Sequence, residues 1–495
     1  MSDSDFMHPI AKLDHAHVWH PFTQMRDWLA QEPIVITEGK GAVLRDLRGR
    51  EYIDANASIW TNLHGHCHPK INAAIRRQLT RISHSSALGF ANEPASLLAR
   101  DLVELANKPF ADASNATRLD RVFFSDDGST AMEVALKLTY QFSKRSGHPN
   151  PKFLSLDSAY HGDTIGAVSL GHIDLFHKAY SGLLFKSDKA LSPYCYRCPF
   201  NRAKPERADA RQWRQCKWEC VSRVESAFAR QKKRGNPYAA FVFEPLMQGA
   251  AGMIPQPAGW LAKVAAIARE HGVRLIADEV MTGFGRTGCI PSPENPLHSI
   301  SHFASHKEGV QPDFLCVAKG LTGGYLPMAA TLTSGEVFDA FLGEYEEFKT
   351  FFHGHSFTGN QLGSAASLAS LEILNSNASM QSRQRLERVL SSEFNSLWNL
   401  PNVGDIRQVG LVAGIELVRD WRTREPFFVS ERAGIRVCEA MSKRGVLTRP
   451  VGNVIVILPP YCVTDKQARH IVAALRDAID EQLGERHPKK SAVQK

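Results

Sequence analysis

No apolar stretch in this 495-residue chain approaches the roughly 20 residues needed to span a bilayer. The N-terminus, MSDSDFMHPI, carries acidic residues and lacks the basic-then-apolar order of a secretory signal. A cytoplasmic protein with no membrane partner is the expectation. Cysteine is sparse: nine in a chain of this length is not the density of a secreted disulfide scaffold. Five of the nine (Cys67, Cys289, Cys316, Cys438, Cys462) are scattered and read as ordinary packing residues. Internal repeats and long low-complexity runs are absent, so no repeat architecture is expected.

An excess of one charge is also missing from most of the chain. The net charge is +8, but residues 192–234 alone hold 12 Lys or Arg against 4 Asp or Glu. The rest is balanced. This reads as a basic insertion with a solvated face on a neutral enzyme rather than a nucleic-acid-binding fold.

What remains is the composition of a globular enzyme, 43% hydrophobic and 22% charged, long enough to bury a large core. Residues 1–56 read as short strands separated by Gly-containing turns and are expected to join a smaller domain. Residues 57–375 alternate β-like apolar runs with helical periodicity, as in an α/β domain with a mainly parallel sheet. The runs RVFFS, KFLSL, AAFVFEP, VRLIADEV and DFLCVA are the candidate strands. Residues 376–495 pair helices with strands, as in a smaller α+β domain, and end in a basic tail.

Three features carry chemistry. In VAKGLTGGYLPMAA, Lys319 follows an apolar strand and precedes a Gly-rich turn, a placement suited to a Schiff base with an aldehyde cofactor. Desolvation there favours the neutral, reactive amine. In LIADEVMTGFGRTG, Asp278 ends another apolar strand, where a carboxylate needs a partner. In FFSDDGSTAMEVALK, Gly128, Ser129 and Thr130 open an amphipathic helix, as in a phosphate cradle. Taken singly, each has a plainer reading: a surface lysine, a turn-capping Asp, an ordinary N-cap.

Together with AYHGDT, FEPLMQGAAGM and HGHSFTGNQLGSAA, these features resemble the class III (ω-) aminotransferases of pyridoxal-5′-phosphate (PLP) fold type I, from about Ile34 to Tyr461. The resemblance implies PLP on Lys319, with Asp278 as partner of its pyridinium nitrogen. It also implies Tyr160 and Val280 against the two faces of the ring, and Asp163 orienting Asp278 or its water. Ser356 is implied to reach the cofactor phosphate of a neighbouring subunit in a homodimer, and Gly354 to contact substrate.

The segment HVWHPFTQM is similar to a signature of the branch acting on 8-amino-7-oxononanoate, which makes 7,8-diaminononanoate in biotin synthesis. That likeness implies Phe22 and Trp60 as substrate-lining residues and Arg449 as the carboxylate clamp, for which a guanidinium is suited. Many members using S-adenosylmethionine have Tyr at the position of Phe22 and a Trp pair where this chain has Ile59-Trp60. S-adenosylmethionine is the first choice of donor and lysine its rival. The alternatives are a broader ω-amino acid or diamine aminotransferase and a PLP-binding protein without turnover.

Cys195 and Cys198 (C-x2-C) with Cys216 and Cys220 (C-x3-C) leave three readings open: plain packing, a zinc site, or a redox-sensitive pair. The surrounding cations are expected to lower the thiol pKa values.

Overall fold

The structure is a computed structural model that describes residues 7–113, 117–288 and 302–484; Cys289 and the basic tail 485–495 lie outside these. The apolar runs of the middle of the chain assemble into one seven-stranded sheet. Its spatial order is Leu119–Ser125, Ala329–Ser334, Phe314–Val317, Arg274–Asp278, Tyr238–Phe243, Lys152–Leu156, Asp188–Ala190. Ala329–Ser334 is antiparallel to both neighbours, and the other pairs are parallel. Parallel strands are covered on both faces, which is why they read as unbroken apolar runs. The helices Gly128–Arg145 and Trp260–Glu270 bury apolar stripes against them.

Of residues 1–56, expected as short strands, Pro9–His17 and Met25–Trp28 are helical; the strands are confined to a meander, Ile36–Lys40, Val43–Asp46 and Glu51–Asp54, whose last member pairs in parallel with Val446–Leu447. A second antiparallel sheet follows the order Val403–Val409, Val412–Asp420, Val454–Ile457, Pro450–Val451. Its first strand carries Asp405 and Arg407 and shows no apolar run, yet it is buried. Arg407 is fully covered and bonds Glu416 (2.6 Å), Asp405 (3.2 Å) and Gly252 O (2.6 Å).

The basic segment 192–234 is not a purely solvated face. Arg197 pairs with the buried carboxylate of Glu416, which also accepts from Tyr194 Oη at 2.5 Å. Arg207 donates to the carbonyls of Val403 (2.6 Å) and Leu400 (2.7 Å), and Arg211 to Gln408 O (2.8 Å). These arginines are spent on the C-terminal sheet, where edge carbonyls would otherwise lack donors. The insertion is latched onto the C-terminal sheet.

Burial pushes the Cys195 thiol up to about 12 and Cys220 up to about 11, against the expected lowering; the nearby Arg214 guanidinium only partly offsets this at Cys195. Cys195 packs with Tyr196, Ala210 and Trp213. Among the described residues no group of three or more His, Cys, Asp or Glu is placed to hold a metal. No described helix is long and apolar enough to cross a membrane.

Candidate active site

Four strands of the large sheet deliver chemistry at their C-terminal ends, the edge at which open α/β sheets bind ligands. Asp278 closes its strand, Glu244 follows Phe243 directly, Lys319 stands two residues past Val317, and Gly128 opens the helix after Ser125. They surround a cavity of about 730 Å³ also lined by Trp60, Tyr160, His161, Asp163 and Val280. Lys319, Asp278, Tyr160, Val280, Gly128, Ser129, Asp163 and Trp60 are thus brought together.

Lys319 has φ +40°, a conformation that side chains with a Cβ seldom adopt, so its backbone is held against strain. Burial pulls its ammonium below the ordinary lysine range, while the carboxylates of Asp278 and Glu244 oppose that shift. The indole of Trp60 stands over the amine, 4.9 Å from Nζ to ring centre.

Asp278 Oδ2 lies 2.7 Å from Nδ1 of the fully buried His161, and Oδ1 accepts from the Val280 N–H at 3.1 Å. The side chain bonded to Asp278 is that of His161. Asp163 instead accepts the Tyr160 hydroxyl at 2.8 Å. Gly162, at φ +118°, lies between these neighbours, and a Cβ on it would come 2.4 Å from the Ser129 side chain. Burial and then Asp163 raise the Tyr160 phenol above its ordinary range, so it stays protonated.

The phosphate cradle is narrower than expected. Asp127 caps the helix through the Thr130 N–H (2.9 Å), and the Thr130 hydroxyl accepts from Asp127 N (3.0 Å). Gly128 and Ser129 line the cavity; Thr130 does not. Gly128 has no room for a side chain, since a Cβ would meet Val280 Cγ1 at 2.5 Å. Ser129 Oγ is held 2.7 Å from Thr164 Oγ1.

The site fits PLP. A buried amine, a carboxylate braced by a histidine, an aromatic ring and a helix start approached by bare backbone match its aldehyde, pyridinium, ring face and phosphate.

Glu244 was not assigned a role from sequence. It accepts the Gly249 N–H at 2.7 Å, and burial raises its carboxyl to about 7, with the Asp278 charge adding to the rise. The signal was present, because Glu244 ends an apolar run as Asp278 does.

Besides Thr130, four expected residues lie outside the cavity wall. Phe22 is exposed and packs edge-on against Phe176 (5.1 Å), which meets Tyr160 (6.2 Å). Gly354 and Ser356 are exposed on a loop tied to the cavity through His355 Nδ1 and Asp126 Oδ2 at 2.9 Å. Arg449 is exposed, close enough to Cys438 to act on its thiol, and is not among the residues that line the cavity.

The family model for aminotransferase class III matches residues 25–479. An adenosylmethionine-8-amino-7-oxononanoate aminotransferase of Geobacter sulfurreducens is 45% identical over 472 residues, covering 95% of this chain and 97% of that protein. The crystal structure of the enzyme of that name from Methanocaldococcus jannaschii superposes with a TM-score of 0.83 at 38% identity, over 95% of this chain and 98% of that one. An amine transaminase from an uncultivated Pseudomonas species, solved with PLP bound, gives a TM-score of 0.82 at 30% identity, over 94% and 98%. By family model, relatives and fold alike, this chain belongs to the class III aminotransferases.

Proposed function

We propose that this chain is a PLP-dependent aminotransferase converting 8-amino-7-oxononanoate to 7,8-diaminononanoate in biotin synthesis. The observation that carries the reading is the buried Lys319 amine in one cavity with the His161-braced Asp278, in a chain 45% identical to a relative named for that reaction. Bound there, PLP supplies an aldehyde carbon for amine exchange and a ring that takes up electron density as the substrate's proton leaves.

The residues divide the remaining work. Lys319 Nζ, whose ammonium form burial disfavours, takes the proton from the substrate carbon and returns it on the other side of the exchange. Asp278, fixed by His161 and the Val280 N–H, holds a negative charge toward the ring nitrogen. Tyr160, tethered by Asp163, covers one face, and Val280 the other. Gly128 and Ser129 hold the phosphate. Donor and acceptor use one site in turn, so the kinetics are ping-pong.

The cavity wall carries five carboxyl side chains (Asp126, Asp127, Asp163, Glu244, Asp278) and one lysine. This favours a cationic donor, a property shared by S-adenosylmethionine and lysine. A second reading, a broader ω-amino acid or diamine aminotransferase, is favoured by the position of Arg449 outside the cavity wall.

The active unit in this reading is a homodimer. Leu88, Phe90, Phe352 and Phe357 are exposed, and Phe357 packs on His84 (4.7 Å) beside the loop of Gly354 and Ser356. Large apolar side chains left exposed in this number call for cover by another chain. Arg197, Arg207 and Arg211 of the insertion are engaged within the chain, and no nucleic-acid partner is proposed.

The deciding assay measures diaminononanoate formation with S-adenosylmethionine and lysine as rival donors. Product from either supports the reading. Turnover of ω-amines without product from oxononanoate moves the assignment to the broader class.

A further inference from the structure

Four consecutive residues, Ala57, Ser58, Ile59 and Trp60, have φ of +45°, +48°, +65° and +69°. None is glycine, and one is β-branched. A left-handed turn crowds the Cβ of each L-residue against a carbonyl oxygen, so such a run persists only where its surroundings impose it.

Asp54 supplies that constraint. It closes the strand Glu51–Asp54 and is buried. Its Oδ1 accepts the backbone N–H groups of Asn56 (3.2 Å) and Ser58 (3.1 Å); Oδ2 accepts the Ser58 hydroxyl (2.9 Å) and His66 Nε2 (3.0 Å). His66 Nδ1 in turn accepts from Asn62 Nδ2 at 3.1 Å, which fixes the imidazole with its Nε2–H toward Asp54. Burial alone would raise this carboxyl; the bonds from His66 and Ser58 outweigh it and hold the group below its ordinary range.

The turn delivers Trp60. Its Nε1–H donates to Asn56 Oδ1 at 2.8 Å, and its ring stands 4.9 Å from Lys319 Nζ. On another side the ring meets bare backbone: a Cβ on Gly249 would come 3.2 Å from Trp60 Cζ3. The next residues are wedged in the same way, because a Cβ on Gly324 would lie 2.7 Å from Asn62 Cα. A right-handed turn of the same length would send the indole elsewhere.

We propose that Asp54 is a positioning residue for substrate recognition, holding a left-handed turn that sets the indole of Trp60 as a wall of the cavity over Lys319. It thereby fixes the width available to the substrate's carbon chain. The role rests on the aminotransferase reading of the cavity.

The test labels the holoenzyme with 5-fluorotryptophan, which gives one fluorine resonance for each of the eight tryptophans. Trp60→Phe assigns the signal of interest. Asp54→Ala is expected to move or broaden the Trp60 resonance while leaving most others in place. This arm needs no substrate, so it stands whatever the enzyme proves to aminate.

The kinetic arm is a double-mutant cycle on whichever acceptor is turned over. Asp54→Ala is expected to raise KM about tenfold with kcat changing less, and to add less than about twofold once Trp60 is Ala. Asp54→Asn keeps Oδ1 as an acceptor for the Asn56 and Ser58 N–H groups but turns an amide donor toward His66 Nε2–H, so it tests the turn with the backbone bonds retained. An unmoved Trp60 resonance, or a KM change that persists without Trp60, overturns the proposal. So does collapse of the whole spectrum in both Asp54 variants, which would make Asp54 a fold-holding residue alone.

Discussion

His161 Nδ1 lies 2.7 Å from Asp278 Oδ2, with the imidazole wholly buried behind the carboxylate it orients. Its other ring nitrogen, Nε2, has no partner among the described residues. The histidine therefore acts on the cavity through Asp278. Removing it leaves a buried carboxylate one hydrogen bond short, which costs about 1.5–3 kcal/mol for a charged group. His161→Leu is expected to weaken PLP binding to the cofactor-free enzyme by roughly ten- to a hundredfold, read by absorbance titration. His161→Asn, which can still donate to Asp278, should recover part of the loss. Affinity unchanged in His161→Leu would show that Asp278 needs no such brace.

Glu244 sets a pH dependence. Burial raises its carboxyl from the ordinary 4.5 to about 7. The folded chain therefore holds this proton to higher pH than the unfolded chain. The stability it contributes is complete below about 4.5 and is lost as pH rises through about 7. Glu244→Gln stays neutral throughout. In the cofactor-free protein, the Tm of the variant minus that of the parent should grow between these two pH values. A difference that stays flat across the window contradicts the placement.

Arg449 tests where the substrate's tail lies. Its exposed guanidinium is outside the cavity wall, so Arg449→Ala is expected to leave the KM for oxononanoate within about twofold. A rise of about ten- to a hundredfold, the cost of losing a charged hydrogen-bond partner, would put the carboxylate at that residue.

Glu416 tests the latch. It stands between Arg407 and Arg197, both within 2.7 Å, and accepts the Tyr194 hydroxyl. Glu416→Ala leaves the fully buried Arg407 guanidinium without its shortest ion pair, a change that costs about 3–5 kcal/mol. Limited proteolysis should then cut within residues 192–234 faster than in the parent protein. Unchanged cutting would show that the insertion is held without Glu416.

Much of this was legible in the sequence, for physical reasons that can be named. Parallel strands buried on both faces must be apolar throughout, so RLIAD, FLCV and YAAFVF stand out. Charged groups ending such strands mark Asp278 and Lys319, because a buried charge needs a purpose. Glu244, directly after Tyr238–Phe243, carries the same mark. Strand Val403–Val409 was hidden because its charges are paired across the sheet, where no local pattern records the partner. The side chain bonded to Asp278 belongs to His161 while Asp163, across Gly162, holds the Tyr160 hydroxyl, and the turn that separates them is a property of backbone angles and not of composition. The left-handed turn before Trp60 was equally silent, since ASIW contains no glycine to announce it.

The central claim is that Lys319 carries the cofactor of an aminotransferase. The direct measurement is borohydride reduction of the purified holoenzyme, proteolysis and mass spectrometry of the labelled peptides. A pyridoxyl group is expected on Lys319, in the peptide containing VAKGLTGG, and none in Lys319→Ala. A label on another lysine, or persistence of labelling in that variant, would contradict it.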